Sequence, residues 1–96
     1  MGVYVEPLLL PEGLSPNAVK VAEGFALLLA IRDLRESGPA PFTQDFGAAW
    51  CGLEPWQVRE GLAELRSERV LVRRGQSGPA NLYLPASVAA EQRRVA

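Results

Sequence analysis

A chain of 96 residues with 10 basic and 11 acidic side chains, a net charge of −1 and nearly half of its residues hydrophobic has the composition of one globular domain, not of a disordered segment. Histidine is absent and Cys51 is the single cysteine, so neither an intrachain disulfide nor a zinc site of the usual ligands can be built; no metal or other cofactor is expected, and Cys51 is expected to be a small buried residue. The longest apolar run, Phe25 to Ile31, has seven residues where a bilayer span needs about 20, and the acidic, proline-containing start indicates neither a secretory nor a transit segment, so the expected location is cytoplasmic.

Residues 1–14 form an apolar arm, with a β-prone Val3 to Val5 and with Leu8, Leu9 and Leu10 between two prolines. Ser15 as cap and Pro16 as first residue then start a helix that can run to about Glu36, before Gly38 and Pro39 stop it. One face of this helix carries Ala18, Val21, Ala22, Phe25, Leu28 and Leu29, the spacing of core contact. Leu27, Ala30, Ile31 and Leu34 carry apolar surface well round the other side. A helix apolar on most sides must be covered on most sides. Two covers are open: the leucine arm of the same chain, or the same helix of a second chain in a homodimer built on Leu8, Leu9, Leu10, Leu27, Ile31 and Leu34.

Pro39 to Phe42 is a connector that can contribute a very short strand. From Phe42 to Leu65 the sequence predicts a helix, a tight turn and a second helix. Thr43 caps the first, whose apolar or small positions are Phe46, Gly47, Ala49 and Trp50, with Trp50 expected in the core, and Gly52 breaks it. Glu54 and Pro55 open the second helix, where proline loses no hydrogen bond and the carboxylate suits the amino end of the helix dipole. Val58, Gly61, Leu62 and Leu65 form its inward face. At about 100° per residue, Trp56, Glu60, Ala63 and Ser67 then point outward, flanked by Arg59 and Arg66 on one side and by Gln57 and Glu64 on the other.

Val70, Leu71 and Val72 read as a strand that leads into Arg73 and Arg74. Gly75 to Ala80 reads as a loop, and Asn81 to Leu84 as a returning strand closed by Pro85. Residues 86–96 form a tail that either adds a short helix or frays. Charge is uneven along the chain: residues 1–42 are acidic and the remainder marginally basic, and no acidic residue occurs between Arg69 and Ala90.

Ala48, Gly52, Leu53, Val58 and Leu62 resemble the pattern of a helix-turn-helix, in which a small residue lets two helices cross closely. The order of a first helix, this helix pair and then a hairpin resembles the winged helix-turn-helix family over about residues 15–85, within a single domain of 1–96. Two positions depart from that family's pattern. Arg69 stands near a point where glycine is common, which predicts a looser exit from the second helix, and Glu54 replaces a serine or threonine cap.

The resemblance implies a fold that is mostly α with a small β-hairpin, and duplex-DNA binding in transcriptional or replication-associated regulation. Helix 54–67 would enter the major groove with Trp56, Gln57, Arg59, Glu60 and Ala63. Thr43 and Gln44 would meet a phosphate, and Arg73, Arg74 and Gln76 in the wing, 70–85, would meet the backbone. The rival expectation is a protein-interaction module that uses Trp56 and an acidic ridge of Glu60, Glu64 and Glu68. No catalytic constellation is present: there is neither a histidine nor a phosphate-cradling glycine motif, so an enzyme is not expected.

Overall fold

The computed structural model describes residues 10–31 and 39–95, with side chains as far as residue 90. Within them lie helices α1 (Pro16–Ile31), α2 (Gln44–Cys51), α3 (Pro55–Ser67) and α4 (Ala86–Val95), and strands β1 (Ala40–Pro41), β2 (Leu71–Ser77) and β3 (Ala80–Pro85). The chain is thus mostly helical with a small antiparallel sheet, whose order is β1-β3-β2. The expected positions Leu8, Leu9 and Leu34, and the proposed continuation of α1 to Glu36, lie outside the described residues.

Each helix begins where local chemistry satisfies its first amides. The Ser15 hydroxyl accepts the Ala18 N–H at 3.2 Å, and the Thr43 hydroxyl accepts the Phe46 N–H at 3.0 Å. At α3, where Glu54 stands at the cap, the Gln57 side-chain oxygen reaches back to accept the Glu54 N–H at 2.8 Å. That bond is the half of a capping box in which the third helical residue satisfies the amide of the cap residue.

The ends of α2 and α3 turn on left-handed residues. Gly52, at φ 69°, closes α2, and the Leu53 N–H donates to the Ala48 carbonyl at 3.0 Å. The exit from α3 is tight, contrary to the expectation of a loose one. Arg69 itself adopts φ 58°, so that the Arg69 N–H reaches the Arg66 carbonyl at 3.1 Å and the Val70 N–H reaches the Leu65 carbonyl at 2.8 Å. This is the bonding of a Schellman motif with arginine in glycine's place, at a conformational cost on the order of 1 kcal/mol.

The core takes Ala18, Val21, Ala22 and Phe25 from α1 as the periodicity predicts, together with Ala26, while Leu28 and Leu29 are only half-buried. Phe25 and Phe42 meet edge to face at 5.6 Å, tying α1 to the residue that leads from β1 into α2. The helices cross at glycines. A β-carbon on Gly47 would come within 2.6 Å of the Phe42 ring and 2.7 Å of a Val58 methyl, and one on Gly61 within 2.9 Å of Val21 and 3.1 Å of the Asn17 carbonyl oxygen. The close crossing of the helix pair therefore rests on Gly47 and not on Gly52, since a β-carbon on Gly52 would meet open space.

In the sheet, β1 pairs with β3 through Ala40 and Tyr83, and Ala40, Leu71 and Tyr83 face the helical core. The expected Gly75 to Ala80 loop is instead mostly strand: β2 continues to Ser77, and Gly78 and Pro79 alone make the turn. Gly78, at φ 58°, followed by proline's fixed negative φ, matches the sign pattern of a type II′ hairpin turn, whose twist suits the strands. The tail forms α4. It is anchored by the Ala86 N–H on the Val70 carbonyl at 2.9 Å and by fully buried Ala89.

Replacing Gly47 with valine should lower unfolding stability by about 2 kcal/mol or more, because Phe42 and Val58 are themselves buried and the backbone must shift to admit the new methyl groups. Urea denaturation of Gly47→Val measures this, and an unchanged midpoint would show that the crossing has room to spare.

Candidate nucleic-acid interface

The outward face of α3 is as the helical period predicts. Val58, Gly61, Leu62 and Leu65 are buried, while Trp56, Arg59, Glu60, Ala63, Arg66 and Ser67 are exposed. Trp56 retains half of its surface to solvent. From Trp56 to Ser67 this stripe is about 16 Å long at 1.5 Å per residue.

The flanking pair behaves differently, and nothing local to it in the sequence signals why. Gln57 is half-buried; besides accepting the Glu54 N–H, its side-chain nitrogen donates to the Asn17 side-chain oxygen at 3.4 Å. Glu64 is half-buried too, and one of its carboxylate oxygens accepts the Ser15 N–H at 2.7 Å. Both side chains thus form a polar seam between α3 and the start of α1. The expected three-glutamate ridge does not form as a continuous surface: Glu60 and Glu68 are exposed and Glu64 is turned to the seam. Gln57, expected at a base edge, has both ends of its amide bonded within the chain.

Thr43 and Gln44 lie at the amino end of α2. Gln44 is exposed, and Thr43 is half-buried with its hydroxyl used as the cap. Asp45 is exposed beside them. Trp50 departs from its expected core position. It is 37% exposed, its indole N–H donates to the Gly24 carbonyl at 2.7 Å, and its ring stacks on Phe46 at 5.7 Å. Phe46 and Ala49 are likewise exposed, so the inward residues of α2 are Gly47 and, in part, Ala48 and Cys51. Burial pushes the Cys51 thiol up, in keeping with a packing role.

The hairpin carries a β-bulge. Arg73 pairs with Tyr83, and Gln76 with Asn81, so Arg74 and Gly75 together oppose Leu82. Strict alternation would put Arg73 and Gln76 on opposite faces. The extra residue, turned at Gly75 with φ 93°, returns Gln76 to the face of Arg73, where the two side chains meet at 3.5 Å. That face continues the one on which Leu71 and Tyr83 pack against the helices. Arg73, Arg74 and Gln76 are all exposed.

Elsewhere on the surface, Leu27 and Ile31 of α1 are 47% and 65% exposed. A shallow groove of about 330 Å³, lined by Leu28, Pro41, Thr43 and Phe46, is adjacent in the fold. Leu10 is exposed as well.

Comparison with protein-family models, with curated proteins and with solved structures gives no match. Among the described residues no helix is long and apolar enough to cross a membrane. Gln57→Ala should cost about 1 kcal/mol of stability by stripping the Glu54 N–H of its acceptor, readable as a lowered thermal midpoint; an unshifted midpoint would return Gln57 to the set of free surface groups.

Proposed function

We propose that the chain is a winged helix-turn-helix protein that binds duplex DNA, with α3 in the major groove and the β2–β3 hairpin as the wing on the backbone, in a transcriptional or replication-associated role without catalysis. The observation that carries this reading is the hairpin. Arg73 and Gln76 are held on one face by the bulge, Arg74 is exposed opposite Leu82, and no acidic residue occurs from Arg69 to Ala90. Such a surface neutralises phosphates, while the exposed stripe of α3 offers side chains to base edges. Gln44 at the amino end of α2 would add a backbone contact. The rival, a protein-interaction module on an acidic ridge, has less support because Glu64 is bonded to Ser15.

The reading includes a homodimer. Exposed Leu27 and Ile31 are what favours it, since burying them removes apolar surface at about 25 cal/mol per Å². A twofold pair of recognition helices would favour two half-sites spaced near one turn of DNA or a multiple of it.

Fluorescence anisotropy with a labelled random-sequence duplex tests the DNA reading. Binding should be micromolar at low salt and weaken steeply as salt is added. Arg73→Ala should reduce the slope of log K against log salt by about one unit, with folding unaffected. Absence of binding at low salt would refute the reading and favour the protein-interaction alternative, with Trp56 as its site. Light scattering at micromolar concentration should give twice the chain mass of 10.4 kDa, and Ile31→Glu should return it to one chain; a wild-type monomer would remove the dimer.

A further inference from the structure

Resting on the DNA-binding reading, we propose that α3 is built to read G·C base pairs: Arg59 takes the O6 and N7 acceptors of a guanine, and Glu60 takes the amino group of a cytosine at a neighbouring position. Three observations lead there. Among the exposed residues of α3, those able to discriminate base edges by hydrogen bonds are Arg59, Glu60, Arg66 and Ser67. Arginine matches guanine and a carboxylate accepts from cytosine, whereas the side chain that matches adenine is a free Asn or Gln amide. The one amide on this helix, Gln57, is withdrawn: its oxygen holds the Glu54 N–H and its nitrogen holds Asn17. Ala63, one turn beyond Arg59 and Glu60, has no polar atom and its methyl group suits a thymine methyl, so the G·C assignment is confined to the positions that Arg59 and Glu60 address.

This assignment also explains an acidic residue in the middle of a DNA-facing stripe. A carboxylate set against guanine, thymine or a phosphate meets acceptors, which repel it; adenine offers its amino group but places the N7 acceptor beside it. Glu60 therefore lowers affinity for every sequence except those that present a donor to it. Discrimination comes as much from the wrong sites being repelled as from the right one being held.

The test uses the full chain and a pool of duplexes with a randomised central segment, selected over several rounds and read by sequencing, for wild type and for Glu60→Gln. Glu60 is exposed, so the substitution leaves the fold intact, which circular dichroism checks. Wild type should enrich guanine and cytosine at two neighbouring positions, by about 5- to 100-fold over the disfavoured bases. Glu60→Gln should retain the guanine position, shift the cytosine position toward adenine, and bind unselected duplex more tightly than wild type does. Enrichment of A·T pairs by wild type at those two positions, or an unchanged preference in Glu60→Gln, would overturn the assignment while leaving DNA binding in place. A pool that does not bind at all at low salt would overturn both.

Discussion

The arrangement of this chain depends on how closely α3 is held by its two helical neighbours. Gly47 lets α2 approach until the Phe42 ring and Val58 occupy the space where a β-carbon would be, and Gly61 does the same against the backbone of α1 at Asn17. A helix pressed at two glycines, on two sides, has its rotation set. Val58, Leu62 and Leu65 are then buried and Trp56, Glu60 and Ala63 face out, with no freedom to exchange faces without opening both crossings. Phe42 links this arrangement to the sheet, since the same residue meets Phe25 and Phe46 edge to face and gives its N–H to the Asn81 carbonyl of β3.

Polar bonds refine what the crossings impose. The seam between α1 and α3 engages Gln57 and Glu64 at one flank of the helix, so the surface left to a ligand is narrower than the count of polar residues implies. On the hairpin a single extra residue has the opposite effect, since it adds Gln76 to the face of Arg73. Both devices concentrate the exposed groups onto fewer directions. A near-neutral chain gains little long-range attraction from its net charge, so local placement of its arginines matters more here than in a strongly basic protein.

Much of the fold was legible in the sequence because the relevant chemistry is local. Ser15–Pro16, Thr43 and Glu54–Pro55 mark three helix starts within one or two residues, and the inward face of α3 follows from period alone. What escaped were effects carried by partners distant in the chain. The contact of Gln57 with Asn17 spans 40 residues and that of Ser15 with Glu64 spans 49, and no local pattern announces either. Trp50 looked like core because it is large and apolar. Its indole N–H instead found the carbonyl of Gly24, a position where the missing side chain leaves the backbone open to it. Arg69 escapes local pattern for a related reason: glycine is the usual occupant of a left-handed helix exit, yet the two bonds of the Schellman motif and the burial of Val70 hold arginine in that conformation. The bulge at Gly75 is hidden in the sequence, because a glycine in a run of polar residues signals a break in pairing as readily as an added residue within it.

The central claim is that the outward face of α3 and the Arg73 face of the hairpin form one surface for duplex DNA. Amide chemical-shift mapping of the isotope-labelled chain, titrated with a duplex at low salt, tests it most directly. The largest shifts are expected at Trp56, Arg59, Glu60 and Ala63 together with Arg73, Arg74 and Gln76, while Leu27 and Ile31 stay still. Shifts confined to the α1 and α2 apolar face, or none along α3, would contradict it.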